Sequence, residues 1–367
     1  MTPPPASPYT AGRRPPAAPL QIDTLRQRLR ALGAKPRHEA SVLRHWACAL
    51  PQQRRGARED VLPQALREAL PAIEAELDAL ATLRTEHPAA DGSARLLVAL
   101  ADGQTVEAVL LPRAEGLCVS TQVGCAVGCR FCMTGQGGLL RQLGGAEIVA
   151  QVALARRRRA VRKVVFMGMG EPAHNLDAVL DAIDLLGTAG GIGHKELVLS
   201  TVGDERLFER LLAPDAARRV RPALALSLHS TDAARRAELL PRAPRLAPEW
   251  LVEQAERYAR ASGYPLLVQW TLLAGVNDDE REIDGLVRLL HGRRAVLNLI
   301  PYNRVDGIDF ERPERERAEA MARTLHRRGV LTKLRYSAGQ EVDAGCGQLR
   351  ARTEGGGRRV VALAMAG

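Results

Sequence analysis

Gly124-Cys-Ala-Val-Gly-Cys-Arg-Phe-Cys132 places three cysteines in a C-x3-C-x2-C spacing. Thiols that lie this close together in sequence are typical of a metal site. Structural zinc normally has four protein ligands, and electron-transfer [4Fe–4S] clusters normally take four cysteines. Three ligands would leave one iron of a four-iron cluster open to a small molecule. The spacing therefore predicts an open cluster on Cys125, Cys129 and Cys132, and a closed zinc or iron–sulfur site that also uses Cys118 is the alternative.

The length and composition restrict the class of protein. With 367 residues, the chain suits one large domain or two ordinary ones. It contains no apolar run of about 18 residues, and its Pro- and Ala-rich beginning has no apolar signal-peptide core, so neither a membrane span nor secretion is expected. Most of the six cysteines lie at or just before the motif, which fits a reducing cytoplasm better than a disulfide framework.

The charge suits a polyanionic partner. The net charge is +10, as expected for a protein that binds RNA. Only Lys35, Lys163, Lys195 and Lys333 are lysines, so almost all of the 52 basic residues are Arg. A GC-rich genome also produces such a bias, which is the alternative explanation. Aromatic residues make up 3% of the chain, too few for a base-stacking sheet of the RRM kind.

The chain before the motif is expected to be mainly helical. The domain plan is a disordered tail at 1–21, a helical accessory domain at 22–92, a barrel with a preceding hairpin at 93–350, and a C-terminal tail at 351–367. The third predicted helix covers Pro63–Leu83. His38, His45 and Cys48 are loose metal candidates, and ordinary helix residues are the favoured alternative.

A β-hairpin is predicted just before the motif. Leu96–Leu100 and Thr105–Leu111 flank the turn signal Asp102-Gly103. Strand alternation puts Glu107 on the face opposite to that of its immediate neighbours. Glu107 is then either a functional acid or an exposed strand carboxylate.

From the cysteines onward, strand and helix patterns alternate about every 30 residues, as in βαβ units with a parallel sheet. Strands are expected at Lys163–Met167, Glu196–Ser200, Ala223–Leu228, Leu266–Leu273, Ala295–Ile300 and Thr332–Tyr336. Helices are expected at Ala146–Arg157, Leu176–Leu186, Glu205–Leu212, Ala233–Leu240, Trp250–Ala261, Glu280–Leu290 and Glu314–Arg328. These units predict an α/β fold with an open or partial (β/α)6 barrel, and a doubly wound sheet is the alternative.

Small or polar residues follow four of these strands. The strand ends are Gly168-Met-Gly-Glu-Pro172, Ser200-Thr-Val-Gly203, Ser227-Leu-His229 and Ile300-Pro-Tyr-Asn303. Reactive groups of βα folds collect where strands end. A single Ser or Asn at such a place is usually a turn or cap. Four such ends beside a three-cysteine loop predict one shared rim that binds a ligand.

The C-x3-C-x2-C spacing resembles that of the radical S-adenosylmethionine (SAM) superfamily. The resemblance implies that SAM binds the open iron through its amino and carboxylate groups. Gly168 and Gly170 let the backbone approach the ligand, and Glu171 can accept a hydrogen bond from the SAM ammonium. The predicted cofactor contacts are Gly170, Glu171, Ser200, Ser227, Leu228, His229 and Asn303. For His229, a histidine satisfied within the rim is the alternative.

Two further cysteines stand outside the motif. Cys346 lies between glycines with little side-chain cover, which is typical of a reactive, mobile thiol. Cys118 lies just before the cluster loop. The two thiols are expected to meet at the mouth of the barrel.

Seven segments resemble, in the same order, the RlmN/Cfr family of radical SAM RNA (adenine carbon) methyltransferases, and favour an RlmN-like member. They are Leu117-Cys-Val-Ser-Thr-Gln-Val-Gly-Cys-Ala-Val-Gly-Cys-Arg-Phe-Cys132, Gly168-Met-Gly-Glu-Pro172, Leu199-Ser-Thr-Val-Gly203, Leu226-Ser-Leu-His229, Gly275-Val-Asn-Asp278, Asn298-Leu-Ile-Pro-Tyr-Asn303 and Asp343-Ala-Gly-Cys-Gly-Gln-Leu349. The resemblance implies a partial barrel with a small helical N-terminal domain. It also implies methylation of an adenine carbon in RNA: C2 in 23S rRNA and some tRNAs for RlmN-like members, and C8 for Cfr-like members.

The resemblance also implies roles for single residues. Cys346 corresponds to the methyl-accepting cysteine, which one SAM methylates and from which a radical made from a second SAM takes hydrogen. Cys118 corresponds to the partner that forms a transient disulfide with Cys346 and releases the product. Glu107 corresponds to the proton acceptor, and Cys118 is its rival for that role.

The sequence therefore predicts a cytoplasmic, monomeric RNA methyltransferase with one [4Fe–4S] cluster, SAM and an electron donor such as flavodoxin. A radical SAM enzyme for another substrate and a non-enzymatic iron–sulfur or zinc RNA-binding protein are the alternatives. Cys346 discriminates between these functions, because a reactive thiol outside the cluster has no chemical role in a protein that only binds RNA.

Overall fold

The computed structural model describes residues 18–50, 62–113, 115–215 and 219–349. The predicted tail at 351–367 lies outside the described residues, and so does the predicted tail at 1–21 apart from 18–21. None of the helices within these ranges is long and apolar enough to cross a bilayer.

Three helices begin the described chain: α1 (Ile22–Ala31), α2 (Pro36–Ala47) and α3 (Gln64–Ala79). The predicted extension of the third helix to Leu83 is wrong, because β1 (Ala81–Pro88) starts directly after it. Leu77, Leu80 and Leu83 keep a helical spacing across this junction, which hides the strand. β1 pairs with β2, so the domain boundary expected at residue 92 falls between two paired strands.

The predicted hairpin is present. It consists of β2 (Ala94–Leu100) and β3 (Thr105–Leu110), which pair antiparallel. β3 then pairs with the short strand β4 (Gly116–Cys118), and β4 runs parallel to β7 (Lys163–Phe166). The hairpin is therefore joined edge to edge to the barrel sheet.

Six parallel pairings build the barrel. The remaining strands of this sheet are β8 (Leu197–Thr201), β9 (Ala223–Ser227), β10 (Leu266–Leu272), β11 (Ala295–Pro301) and β12 (Thr332–Leu334). The helices are α4 (Gly145–Arg156), α5 (Leu176–Gly187), α6 (Glu205–Leu212), α7 (Ala233–Leu239), α8 (Pro248–Ser262), α9 (Glu280–Leu290) and α10 (Arg315–Arg327). All the predicted barrel strands and helices are confirmed within about two residues, the usual uncertainty of element ends.

The strand order decides between the two predicted architectures. Within the described residues the sheet runs β1-β2-β3-β4-β7-β8-β9-β10-β11-β12. A doubly wound sheet reverses its strand order at a switch point, and this order has no reversal. The partial barrel is therefore confirmed. A second sheet of two strands, β5 (Gln122–Gly124) and β6 (Leu139–Gln142), was not predicted. These two strands flank the loop that carries the cysteine motif.

Arg156–Arg159, Arg162 and Lys163 form a basic run around the start of β7, and two of its arginines donate hydrogen bonds to backbone carbonyls. Arg156 Nη1 donates a hydrogen bond to the Ala47 carbonyl at 2.7 Å. Arg159 donates to the carbonyls of Gly92 and Leu111 at 3.0 and 2.6 Å. Others form ion pairs: Arg157 with Asp78, Arg158 with Glu86, Arg162 with Glu115 and Lys163 with Glu196. The run connects the N-terminal helices and the hairpin to the barrel.

Candidate active site

The strand residues of the predicted site share one face of the main sheet. Residues opposite each other in paired strands project to the same side, as do residues two apart on one strand. Five pairings define this face: Val109–Cys118, Cys118–Val165, Val165–Val198, Ser227–Gln269 and Gln269–Asn298. Ser200 lies two residues from Val198 on β8. Glu107 lies two residues from Val109, and Ser200 Oγ lies 3.4 Å from Ser227 Oγ. Glu107, Cys118, Ser200 and Ser227 therefore project to the same side of the sheet, the inside of the barrel.

The three cysteines of the motif lie on the loop between β5 and β6. The Cys125 N–H donates to the Gly138 carbonyl at 2.9 Å, and the Cys132 N–H to the Cys129 carbonyl at 3.0 Å. The loop belongs to an apolar cluster separate from the main core; its members include Val127, Phe131, Met133, Leu239, Leu240 and Tyr302. The thiols are thus held in a largely apolar environment that limits access of water.

The donor set fits an iron–sulfur cluster. Burial raises the pKa of Cys125 to about 12, and burial also raises the pKa of Cys129 and Cys132. Hydrogen bonds to sulfur oppose this shift, from the Val127 backbone at Cys125 and from Thr134 at Cys132. Such thiols become thiolates only when a cation compensates the charge.

Among the described residues, no three Cys, His, Asp or Glu side chains converge on a single ion. A four-iron cluster does not require such convergence, because it distributes its thiolates over different iron atoms.

Glu171 is a buried carboxylate next to the cysteine loop. It accepts hydrogen bonds from Thr201 Oγ1 at 2.6 Å, Val202 N at 2.9 Å and Ala173 N at 3.0 Å. Burial raises its pKa, while these hydrogen bonds favour the carboxylate. Gly170 has φ +109°, and a Cβ there would lie 2.7 Å from Gln122. Only glycine fits this position, which holds Glu171 in place.

His229 is fixed in one tautomer. It has φ +62°, and its Nδ1 accepts the Thr271 N–H at 2.9 Å, so Nε2 carries the proton. Burial lowers its pKa to about 3, and the ring contacts Phe131 of the cysteine loop edge-on at 4.8 Å. The neighbouring Leu228 contributes backbone groups: its N–H donates to the Gln269 carbonyl at 3.1 Å. His229 is thus a neutral hydrogen-bond donor beside the cysteine loop.

Asn303 holds the loop that carries Cys346. Its Nδ2 donates to the Cys346 carbonyl at 3.0 Å and to Ser337 Oγ at 2.8 Å, and its Oδ1 accepts from Arg312 at 2.9 Å. These contacts engage both ends of the amide. The contact of Asn303 with SAM therefore stays a prediction. The observed hydrogen bonds of Asn303 position the Cys346 loop.

The Cys346 loop packs directly on the cysteine motif. The Met133 N–H donates to the Gly347 carbonyl at 2.7 Å, and Thr134 Oγ1 donates to the Leu349 carbonyl at 2.6 Å. Gly345 has no room for a Cβ, which would lie 2.6 Å from Gln348 Oε1. Cys346 itself is exposed, as expected for a reactive thiol.

Cys118 and Glu107 lie behind this loop. Cys118 is buried, and burial, together with the nearby Cys346, raises its pKa to about 12. Glu107 is fully buried, which excludes the exposed-carboxylate alternative. It forms an ion pair with Arg95, whose Nε donates to the Val342 carbonyl at 2.7 Å. All six cysteines are free, so the structure gives no support to a standing disulfide.

Two positioning residues were missed from the sequence. Arg236 is buried and donates from Nε to the Leu228 carbonyl at 3.2 Å. Burial lowers its pKa to about 10, and Cys129 and Glu171 favour its charged form. Arg95 connects Glu107 to the segment before Cys346. Both belong to otherwise ordinary helix or strand patterns, which give no signal of these long-range contacts.

The loose metal candidates of the N-terminal helices are ordinary helix residues. His38 Nδ1 accepts the Lys35 N–H at 3.2 Å, and His45 Nδ1 lies 2.7 Å from the Ser41 carbonyl. Cys48 Sγ lies 3.6 Å from the carbonyls of Ala189 and Gly190.

Comparisons with known proteins identify the family to which the chain belongs. The radical SAM superfamily matches residues 119–286. A probable RNA methyltransferase of Methylibium petroleiphilum is 76% identical over 92% of this chain and 95% of its own length. A second, of Leptothrix cholodnii, is 68% identical over 91% and 95%. A crystal structure of a radical SAM methyltransferase from Sphaerobacter thermophilus has a TM-score of 0.76 and 34% identity, covering 91% of this chain and 98% of that one. The chain therefore belongs to the radical SAM superfamily and, within it, to the family of these probable RNA methyltransferases.

Proposed function

We propose that this enzyme is an RlmN-like member of the RlmN/Cfr family, which methylates an adenine carbon, C2 rather than C8, in 23S rRNA or tRNA through S-methylated Cys346. The observation that supports it most is the contact between two loops. The exposed Cys346 is held against the motif of Cys132 through Met133 and Gly347, and it lies close enough to buried Cys118 to add to the burial that raises the pKa of that thiol. The relatives' names support RNA as the substrate.

The cofactors fit the residues. A bound cluster on Cys125, Cys129 and Cys132 would supply one electron that splits SAM into methionine and a 5′-deoxyadenosyl radical, and would accept one electron back after addition to the base. Glu171 offers a carboxylate to the SAM ammonium. Ser200, Ser227 and the Nε2–H of His229 offer hydrogen bonds to its polar atoms.

Cys346 carries the methyl group. Its thiolate attacks the methyl of a first SAM, so an S–CH3 bond forms, S-adenosylhomocysteine leaves and the thiol proton goes to solvent. The 5′-deoxyadenosyl radical that bound SAM would supply would take one hydrogen atom from the S-methyl group of Cys346 and leave as 5′-deoxyadenosine. The S–CH2 radical adds to the adenine carbon, and the adduct loses one electron and the ring proton. Glu107 accepts this proton, with Cys118 as the rival acceptor.

Cys118 releases the product. Its thiolate attacks the sulfur of Cys346, the S–CH2 bond breaks, and the carbon takes up a proton to become the methyl group of the base. Cys118 and Cys346 are then a disulfide, which an electron donor such as flavodoxin or a dithiol reduces with two electrons and two protons. Arg95 supports this arrangement, because it joins Glu107 to the segment that leads to Cys346.

The target carbon can be tested with methyl-labelled SAM. Anaerobic, reconstituted protein, reduced flavodoxin and total RNA should yield labelled 2-methyladenosine in nucleoside mass spectrometry. Labelled 8-methyladenosine would assign the enzyme to the Cfr-like group. Label in neither nucleoside would overturn the proposed activity.

Glu171→Gln should weaken SAM binding by about 10- to 150-fold, because a charge-assisted hydrogen bond contributes roughly 1.5–3 kcal/mol. The cluster should remain, since Glu171 is not a ligand. Anaerobic calorimetry gives the affinity, and iron analysis gives the cluster. Glu209→Gln, on the exposed side of α6, is the matched control. Equal SAM affinity in wild type and Glu171→Gln would exclude the carboxylate from the cofactor site.

RNA affinity should fall steeply as salt rises, because phosphate contacts release counterions. Filter binding of rRNA and tRNA fragments between about 50 and 200 mM salt measures the slope. A flat slope would favour the alternative of a small-molecule substrate for the same radical chemistry.

A further inference from the structure

Gln269, in the middle of β10, has an unsatisfied amide inside the barrel. Its side chain is 4% exposed, and its Nε2 has no hydrogen-bond partner in the part of the chain that the structure describes. A buried polar group left unpaired destabilises the folded protein, because it has lost its hydrogen bonds to water without a replacement. Most buried side-chain polar groups in proteins are paired, so an amide in this state points to a ligand that completes it.

The position of Gln269 places it within the proposed cofactor site. It is in register with Ser227 on one side and with Asn298 on the other, so the three side chains form one polar row. Asn298 is also buried. Two residues later on the same strand, Thr271 fixes the ring of His229. The row therefore lies one step deeper in the barrel than the rim residue His229.

The polar row lies deep in the barrel, which favours contact with a small molecule over contact with RNA. The rim is where Cys346 stands, and a base attached to an RNA chain reaches the rim first. A residue below the rim therefore contacts a molecule that enters the barrel before the RNA binds and that fills the barrel interior. In the proposed function that molecule is SAM, whose carboxylate and ribose oxygens accept hydrogen bonds.

We propose that Gln269, supported by Asn298, forms the polar floor of the SAM site and donates a hydrogen bond to an oxygen of SAM. This inference rests on the proposed function, because it requires SAM in the barrel. Gln269 is then a binding residue for the cofactor and takes no part in the transfer of the methyl group.

Gln269→Met tests the proposal, because Met keeps the approximate size and removes the amide. Anaerobic calorimetry on cluster-loaded protein should show SAM binding weakened about 5- to 20-fold, the effect of one buried hydrogen bond. Without SAM, the thermal midpoint should be equal or higher, because an unpaired buried amide has been removed. SAM should raise that midpoint less than it does in wild type. Gln27→Met, on the exposed side of α1, should change none of these values.

Two fragments of SAM, methionine and 5′-deoxyadenosine, identify which SAM oxygen Gln269 binds. If Gln269 binds the carboxylate, the variant should lose affinity for methionine; if it binds the ribose, it should lose affinity for 5′-deoxyadenosine. Asn298→Ala should weaken the same fragment and provides a second variant if Gln269→Met fails to fold.

Three results would overturn the assignment. A lower midpoint of Gln269→Met with unchanged SAM affinity would make the amide structural. Reduced RNA affinity with unchanged SAM affinity would assign the row to the RNA. Wild-type protein that binds no SAM would overturn the proposed function itself and the assignment with it.

Discussion

Replacing Cys125, Cys129 or Cys132 by Ala should remove the four-iron cluster and abolish RNA methylation. The three thiols lie on one loop in an apolar cluster, and burial raises their pKa so that free thiolates are unfavourable there. A ligand set of three has no spare member to compensate for a loss. Iron and sulfide analysis of anaerobically reconstituted protein, with its visible absorbance, measures the effect.

Cys118→Ala and Cys48→Ala are the controls for this experiment, since both remove a free thiol outside the motif. Both proteins should retain the cluster. A cluster lost in Cys118→Ala would mean closed ligation by four cysteines, with no open iron for SAM.

Cys118 and Cys346 should give opposite defects when each is changed to Ala. Cys118→Ala should accumulate a covalent protein–RNA adduct, because the bond between the Cys346 sulfur and the base-linked methylene is formed but no thiol attacks it. Cys346→Ala should form neither adduct nor product, because no sulfur accepts the methyl group. Denaturing gels with labelled RNA detect the adduct, and peptide mass spectrometry detects S-methyl-Cys346 in wild type.

The double variant is the control for the order of these steps. Cys118→Ala combined with Cys346→Ala should show no adduct, because the methyl-accepting sulfur acts first. An adduct in the double variant would place the covalent bond on another residue. Rapid turnover by Cys118→Ala would assign the release step to a different thiol or to solvent.

Periodicity predicted six of the seven parallel barrel strands that the structure describes and missed β1, β4, β5 and β6. These six strands are apolar and separated by long amphipathic helices, so their type and order follow from the pattern. β1 follows α3 without a break, and its leucines continue the helical spacing. β6 contains Leu139 and Leu140, which are both exposed, so it lacks the alternation that identifies a strand.

Glu171, His229 and Cys346 were selected from the sequence because they follow a strand or lie between glycines, and their functional roles stay predictions. The contacts that position them could not be predicted from the sequence. Asn303 follows a strand and stays a predicted cofactor contact, but its hydrogen bond to the Cys346 loop, 43 residues away in sequence, could not be predicted. Arg95 and Arg236 act through tertiary hydrogen bonds that no local pattern encodes. Gln269 stands out only once its burial and its unpaired amide are known.

Nucleoside mass spectrometry of RNA treated with wild-type and Cys346→Ala protein tests the central claim most directly. Both proteins are to be loaded with cluster and given SAM and reduced flavodoxin under anaerobic conditions. Wild type should produce an adenosine heavier by one methyl group, with one 5′-deoxyadenosine for each methyl transferred, and Cys346→Ala should produce no methylated adenosine. Methylated adenosine at the wild-type level from Cys346→Ala would contradict the account.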